Sequence, residues 1–363
     1  MNLQSILLTV SLVSTLCLTG HAETKKSKKS QKSAEAATSQ KVDSKKQSRS
    51  VSSAPAAQTQ TASVTAKKAM VNSSLSEYAF QPAPGHQSVS ARTYFLNRNY
   101  SYHIKKNGVD RKDYDSTKGF VLMTRYDRGL QNGWGFAAEI GTSVTPLETS
   151  RRGENNGRAK GFTDITLSGR NHKAIKAGEL TYGGQASLSP NDREMPTNRD
   201  DGNMQTGGHS IAGFVGLQKE TQRYVVGGQF KHQIFMDRSA SVKNGNQTTK
   251  LTISNGNVLD FEGYMEMPQN AQLFGASAGI SHILPTDYSY RLADGSKLDA
   301  GIDAYNIVKV AAYGNFRVPS MRNLEILPQV SYQKLISDSG GSLSVSADNT
   351  EETVVSIGAR LSL

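Results

Sequence analysis

Three carboxylates, Asp260, Glu262 and Glu266, stand at positions i, i+2 and i+6. Successive side chains of an extended chain point to opposite faces, so this spacing puts all three on one face. Such a row would bind a cation or a basic solute, or would be neutralised by Lys and Arg on neighbouring strands. His86 and Ser88, with Gln87 between them, also share a face when extended. They have the spacing of a base and a nucleophile, but no third group that would orient the base is identifiable. His209 and Ser210 are adjacent and would face opposite ways in a strand. No HExxH, P-loop or Gly-rich nucleotide signature is present. The sequence therefore points to no catalytic residue, no metal ligand and no cofactor.

The elements that position these side chains have a period of two. Trp134, Phe136, Ala138, Ile140, Thr142 and Val144 interleave with Gly135, Ala137, Glu139, Gly141 and Ser143. Val355, Ile357, Ala359, Leu361 and Leu363 do the same against Ser356, Gly358, Arg360 and Ser362. This alternation predicts strands with one apolar and one polar or small face. Twelve are predicted, near 88–98, 119–127, 133–144, 162–170, 179–189, 209–217, 223–234, 258–267, 272–283, 302–316, 323–334 and 353–363. Their connections alternate between short (RGLQN, NHKAIKAG, QKETQ, Pro268-Gln269-Asn270, VPSMR) and long, such as TPLETSRRGENNGRAK and DRSASVKNGNQTTKLTISNG. A soluble sandwich has no reason to place every long loop at one end, whereas an outer-membrane barrel has short periplasmic turns and long extracellular loops. Tyr126, Trp134, Tyr182, Tyr224, Phe274 and Phe316 lie in the apolar phase near the short turns, where an interfacial girdle belongs.

Composition agrees with this expectation. With 36% hydrophobic residues and a mean hydropathy of −0.50, the chain has no room for a bundle of membrane helices of about 20 apolar residues each. Residues 1–22, apolar from Ile6 to Leu18 and ending in small residues, read as a cleaved secretory signal. The only cysteine, Cys17, lies inside it, which leaves the mature chain without disulfides. Residues 23–75 read as a disordered basic tether, since they lack the apolar side chains that would offset the entropy of ordering. Ten lysines and Arg49 against Glu23, Glu35 and Asp43 give 23–70 a net +8 of the chain's +11. The barrel is assigned to 76–363.

The polar phase of the strands gives the expected lumen. Its pore-lining candidates are Arg92, Arg125, Glu139, Asp164, Lys231, Asp260, Glu262, Glu266, Lys309, Glu325 and Arg360. Asp127, Arg98, Arg170, Arg223 and Arg317 fall in the same phase. The opposite charges suggest pairs of Arg125 with Glu139, Lys231 with Glu262, and Glu325 with Lys309 or Arg360. Twelve strands enclose a lumen intermediate between a barrel packed with side chains and a wide porin.

The signal, the twelve alternating strands and the terminal amphipathic strand resemble Gram-negative outer-membrane β-barrel proteins over 88–363. The segment GFTDITLSGR, 161–170, resembles a strand of the channel proteins linked to phenol-degradation pathways. The chain ends in Leu363, whereas many such barrels end in an aromatic residue. Enzymes resembling outer-membrane phospholipase A carry His-x-Ser followed by Asn-Gly, but here Val89 and Ser90 follow. The expected function is a passive channel for small solutes, with no enzyme activity. A structural or surface-interaction barrel with a plugged lumen and partner-binding loops is the alternative, and a lipid hydrolase the third. Expected partners are outer-membrane lipid, small solutes and, through the tether, the cell wall. Nucleic acid is not expected, because the tether lacks stacking aromatics. The expected location is the cell outer membrane, with the tether in the periplasm.

Overall fold

The computed structural model describes residue 78 and residues 80–363, except 107–108, 152–153, 198–200, 245–246, 270–271, 292–294 and 337–344. The expected signal and tether lie outside the described residues. Among these residues the secondary structure is all β. The first ten strands are β1 (Gln87–Lys106), β2 (Val109–Gly129), β3 (Trp134–Ser143), β4 (Leu147–Arg151), β5 (Glu154–Lys160), β6 (Ile165–Ile175), β7 (Gly178–Leu188), β8 (Arg193–Met195), β9 (Gly202–Asn203) and β10 (Ser210–Glu220). The rest are β11 (Val225–Phe235), β12 (Arg238–Asn244), β13 (Gln247–Asn255), β14 (Val258–Gln269), β15 (Gln272–Ile283), β16 (Thr286–Arg291), β17 (Lys297–Ile302), β18 (Tyr305–Val318), β19 (Met321–Leu335) and β20 (Val345–Ser362).

Twelve of them, β1, β2, β3, β6, β7, β10, β11, β14, β15, β18, β19 and β20, pair antiparallel in that order. Pairing of β1 with β20, from Ser88↔Ser362 to Ile104↔Val345, closes the barrel and removes its free edges. At one end the connections are tight. The Leu130 amide donates to the Trp134 carbonyl at 2.7 Å while the Leu130 carbonyl accepts from the Gly133 amide at 3.1 Å, and the Thr221 amide donates to the Tyr224 carbonyl at 2.7 Å. Each barrel strand turns a large apolar side chain outward: Val89, Phe120, Phe136, Ile165, Leu188, Val215, Val226, Phe261, Ile280, Val310, Val330 and Ile357 are all exposed. In water such a continuous apolar belt would cost about 25 cal/mol per Å², and in lipid it is the wall of the protein. Trp134 and Tyr182 meet edge to face at 5.9 Å, as do Phe274 and Phe316 at 5.3 Å, beside the tight turns.

The long connections are more ordered than the sequence suggests. Strands β8, β12, β13, β16 and β17 form a second sheet. Its core is Met195, Ala240, Val242, Leu251, Ile253, Tyr288 and Tyr290. The alternation of Ala240 with Val242 and of Leu251 with Ile253 is the strand signal inside a stretch read as loop. The first barrel hairpin also runs beyond its expected limits, with β1 reaching Lys106 instead of 98. Another long connection, the β4–β5 hairpin, folds inward. Leu147 and, directly after β9, Met204 pack on the inward-facing Leu96, Val121 and Val354. This apolar cluster narrows the long-loop end of the lumen. Nearby, exposed Lys160 pairs with Asp201 at 2.7 Å and holds its carboxyl below the usual carboxylate range.

Candidate functional site

The polar phase of the twelve strands converges on the lumen, which holds a cavity of about 390 Å³. Arg125, Glu139, Lys231, Asp260, Glu262 and Lys309 lie on its wall. Arg170, Gln185, Phe214, Gln329, Ser331 and Tyr94 complete much of the wall. Arg92 faces inward and donates to Gln329 at 3.0 Å. Asp164 is buried just before β6, where it accepts hydrogen bonds from the Thr206 amide (3.0 Å) and hydroxyl (2.5 Å). Glu266 is fully buried and accepts from Tyr313 at 3.1 Å. Glu325 and Arg360 are each 4% exposed, and Arg360 Nε donates to Glu325 at 2.8 Å.

The ion pairs follow the surroundings more than simple opposition across strands. Arg125 faces Glu139 across the β2–β3 ladder, yet its guanidinium grips Asp127 on its own strand, at 2.7–3.0 Å. Lys231 donates to Gln185 at 2.9 Å. Lys309 reaches past the intervening β15 to Asp260, which Ser281 also binds at 2.8 Å. The reach is open because the β15 residue opposite Lys309 is Gly279, which has no side chain to block it. Of the pairs suggested by charge alone, Glu325 with Arg360 forms, joined by Arg317 at 3.4 Å and Asn315 at 3.2 Å. Four cations (Arg125, Arg170, Lys231, Lys309) and four carboxylates (Glu139, Asp260, Glu262, Glu352) line the cavity.

The segment before β1 turns into this lumen from the tight-turn end. Pro84 bridges Gly129, and the Gly85 amide donates to the Gly129 carbonyl at 3.0 Å. A Cβ on Gly129 would lie 2.3 Å from the carbonyl oxygens of both Pro82 and Ala83, so only glycine admits the segment here. Phe80 lies under the Arg360 guanidinium, 3.5 Å from its ring centroid. Tyr78 stacks on Tyr264 at 4.2 Å and 3°, tilts against Tyr313 at 5.8 Å, and donates its hydroxyl to Glu262 at 2.5 Å. Arg170 Nη1 donates to the carbonyls of both Tyr78 and Phe80 at 3.1 Å.

An outer-membrane channel from Pseudomonas putida F1 superposes on this architecture with a TM-score of 0.51 at 11% identity, over 78% of this chain and 97% of that one. The chain has the fold of an outer-membrane β-barrel. The outer-membrane protease OmpT of Escherichia coli (TM-score 0.40, 8% identity, 77% and 97% covered) and the Pseudomonas putida toluene transporter TodX (0.39, 11%, 77% and 90%) are more distant. No family model and no curated protein matches the chain.

Within the barrel, the His-x-Ser spacing does not assemble a nucleophile. His86 is exposed at the rim, while Ser88 is 1% exposed and its hydroxyl has no hydrogen-bond partner. His209 Nδ1 accepts from the Ser189 amide, and Ser210 accepts from Gln233. His172 meets both Thr181 (3.1 Å) and Glu179 (3.4 Å) through the same nitrogen, Nδ1. A triad needs its base to hold the nucleophile and the orienting carboxylate on opposite nitrogens. Among the described residues, no group of three or more His, Cys, Asp or Glu side chains converges to hold a metal ion.

A tally of charges overlooks the aromatic and amide lining, and it overlooks Tyr78 and Phe80. A signal for the last two is present, since they are the first aromatic side chains of the chain.

Proposed function

We propose that this protein sits in the outer membrane and passes small polar solutes through its lumen without catalysis. The observation that carries the reading is the 390 Å³ cavity, walled by four cations, four carboxylates and several amide and hydroxyl side chains. A balanced wall of this kind offers hydrogen bonds to neutral or zwitterionic solutes and gives little preference for one ion sign. Outer-membrane lipid would surround the apolar belt. In this reading residues 23–75 lie in the periplasm, where their positive charge would favour an anionic cell-wall polymer.

Single-channel recording in planar bilayers tests this, with discrete conductance steps as the expected result. A barrel that inserts but stays silent would overturn it. Glu139→Gln removes one carboxylate from the balanced wall and should shift the reversal potential in a salt gradient toward anion selectivity; an unchanged potential would place Glu139 outside the conducting path.

One observation favours a second reading, a barrel that binds a partner at its surface. The β8–β12–β13–β16–β17 sheet has its own apolar core, which a solvent-exposed loop does not need. A silent barrel that retains this sheet would support that alternative.

A further inference from the structure

The segment before β1 is gripped as a ligand is gripped. Arg170 reads two main-chain carbonyls, Tyr264 and Tyr313 form an aromatic slot, Glu262 accepts the phenol hydroxyl, and Arg360 covers the second ring. Each of these groups projects from a strand of the barrel wall. The segment cannot become a thirteenth strand. Pro82 and Pro84 lack amide hydrogens, and its main-chain pairing with the wall is an isolated bridge at Pro84 rather than a ladder. A main-chain ladder, which would hold it permanently, is thus replaced by side-chain contacts that can break one at a time.

We propose that the tight-turn half of the lumen is a binding site for a short peptide with aromatic side chains at positions i and i+2, occupied in cis by Tyr78, Phe80 and Gln81, and that this occupant leaves and returns as a tethered blocker. The blocking role rests on the channel reading, whereas the binding site does not. The short covalent link through residues 82–86 to β1 gives the occupant an effective concentration on the order of millimolar, so an added peptide competes poorly until the cis contacts are weakened.

The test uses the full-length chain with Tyr78→Ala and Phe80→Ala together, and a fluorescent peptide of sequence Tyr-Ala-Phe-Gln-Pro-Ala. The double variant should bind the peptide about tenfold or more tighter than the wild type by fluorescence anisotropy. A peptide with both aromatics replaced by Ala should not bind. Equal binding by variant and wild type, or equal binding of the two peptides, would overturn the site.

A second variant guards against misfolding. A Cβ at Gly135 would lie 2.6 Å from Gln81 Cγ, so Gln81→Cys with Gly135→Cys should cross-link the segment to the wall. Oxidised protein should bind no peptide and conduct less, and a reductant should restore both in the same sample. Indifference to oxidation once the cross-link has formed would show that the segment never leaves. A variant that binds peptide yet conducts nothing would end the channel reading and leave the binding site standing.

Discussion

Glu325→Ala should destabilise the folded barrel by about 3–5 kcal/mol, because it strands a buried cation. Glu325 accepts from Arg360, Arg317 and Asn315, and Arg360 is 4% exposed. Without the carboxylate, Arg360 would keep its desolvation cost and lose the partner that offsets it. Arg317 is more than a third exposed and can turn to water, so most of the loss comes from Arg360. The single tryptophan, Trp134, lies in the girdle beside a tight turn and reports unfolding by its fluorescence. Urea unfolding in lipid vesicles should show the midpoint falling sharply. Glu325→Leu combined with Arg360→Met leaves no unpaired buried charge and should recover most of the loss. A double variant as unstable as the single one would show that the pair contributes through packing instead.

Ile357→Arg should cost about 2–4 kcal/mol in the same vesicles, the range for a charge on the lipid face near the bilayer midplane. Ile357 faces outward on β20 and is 62% exposed to the surroundings of the barrel. In water that exposure would make an arginine harmless or favourable, so the sign of the effect identifies the surrounding medium. Ser331→Arg places the same charge on the cavity wall and should cost much less while changing ion selectivity. If the two substitutions cost the same, the outer face is not a lipid face.

Much of this architecture was legible from alternation alone. Period two sorts Asp260, Glu262 and Glu266 from Phe261 and Met265, because a strand has only two faces and a shift of one residue exchanges them. The same reasoning separates Ser356 and Arg360 from Ile357 and Leu361. The strand limits were less legible, since β1 and β2 stay paired out to Lys106 and Val109 through polar residues whose alternation is weak. Backbone pairing can extend there without an apolar face, given a neighbouring strand to pair with.

The sequence by itself determined that the chain alternates in twelve segments, that short and long connections take turns, and that the polar phase carries both charges. These are local properties, set by the two-residue repeat of the backbone and by the length of each link. Only the tertiary structure decided who pairs with whom. Lys309 meets Asp260 because Gly279 leaves a gap between them, and Arg125 takes Asp127 although Glu139 stands opposite. Only the closed barrel could bring Tyr78 to Glu262, 184 residues away, since that contact depends on strands from both halves of the chain curving around one lumen.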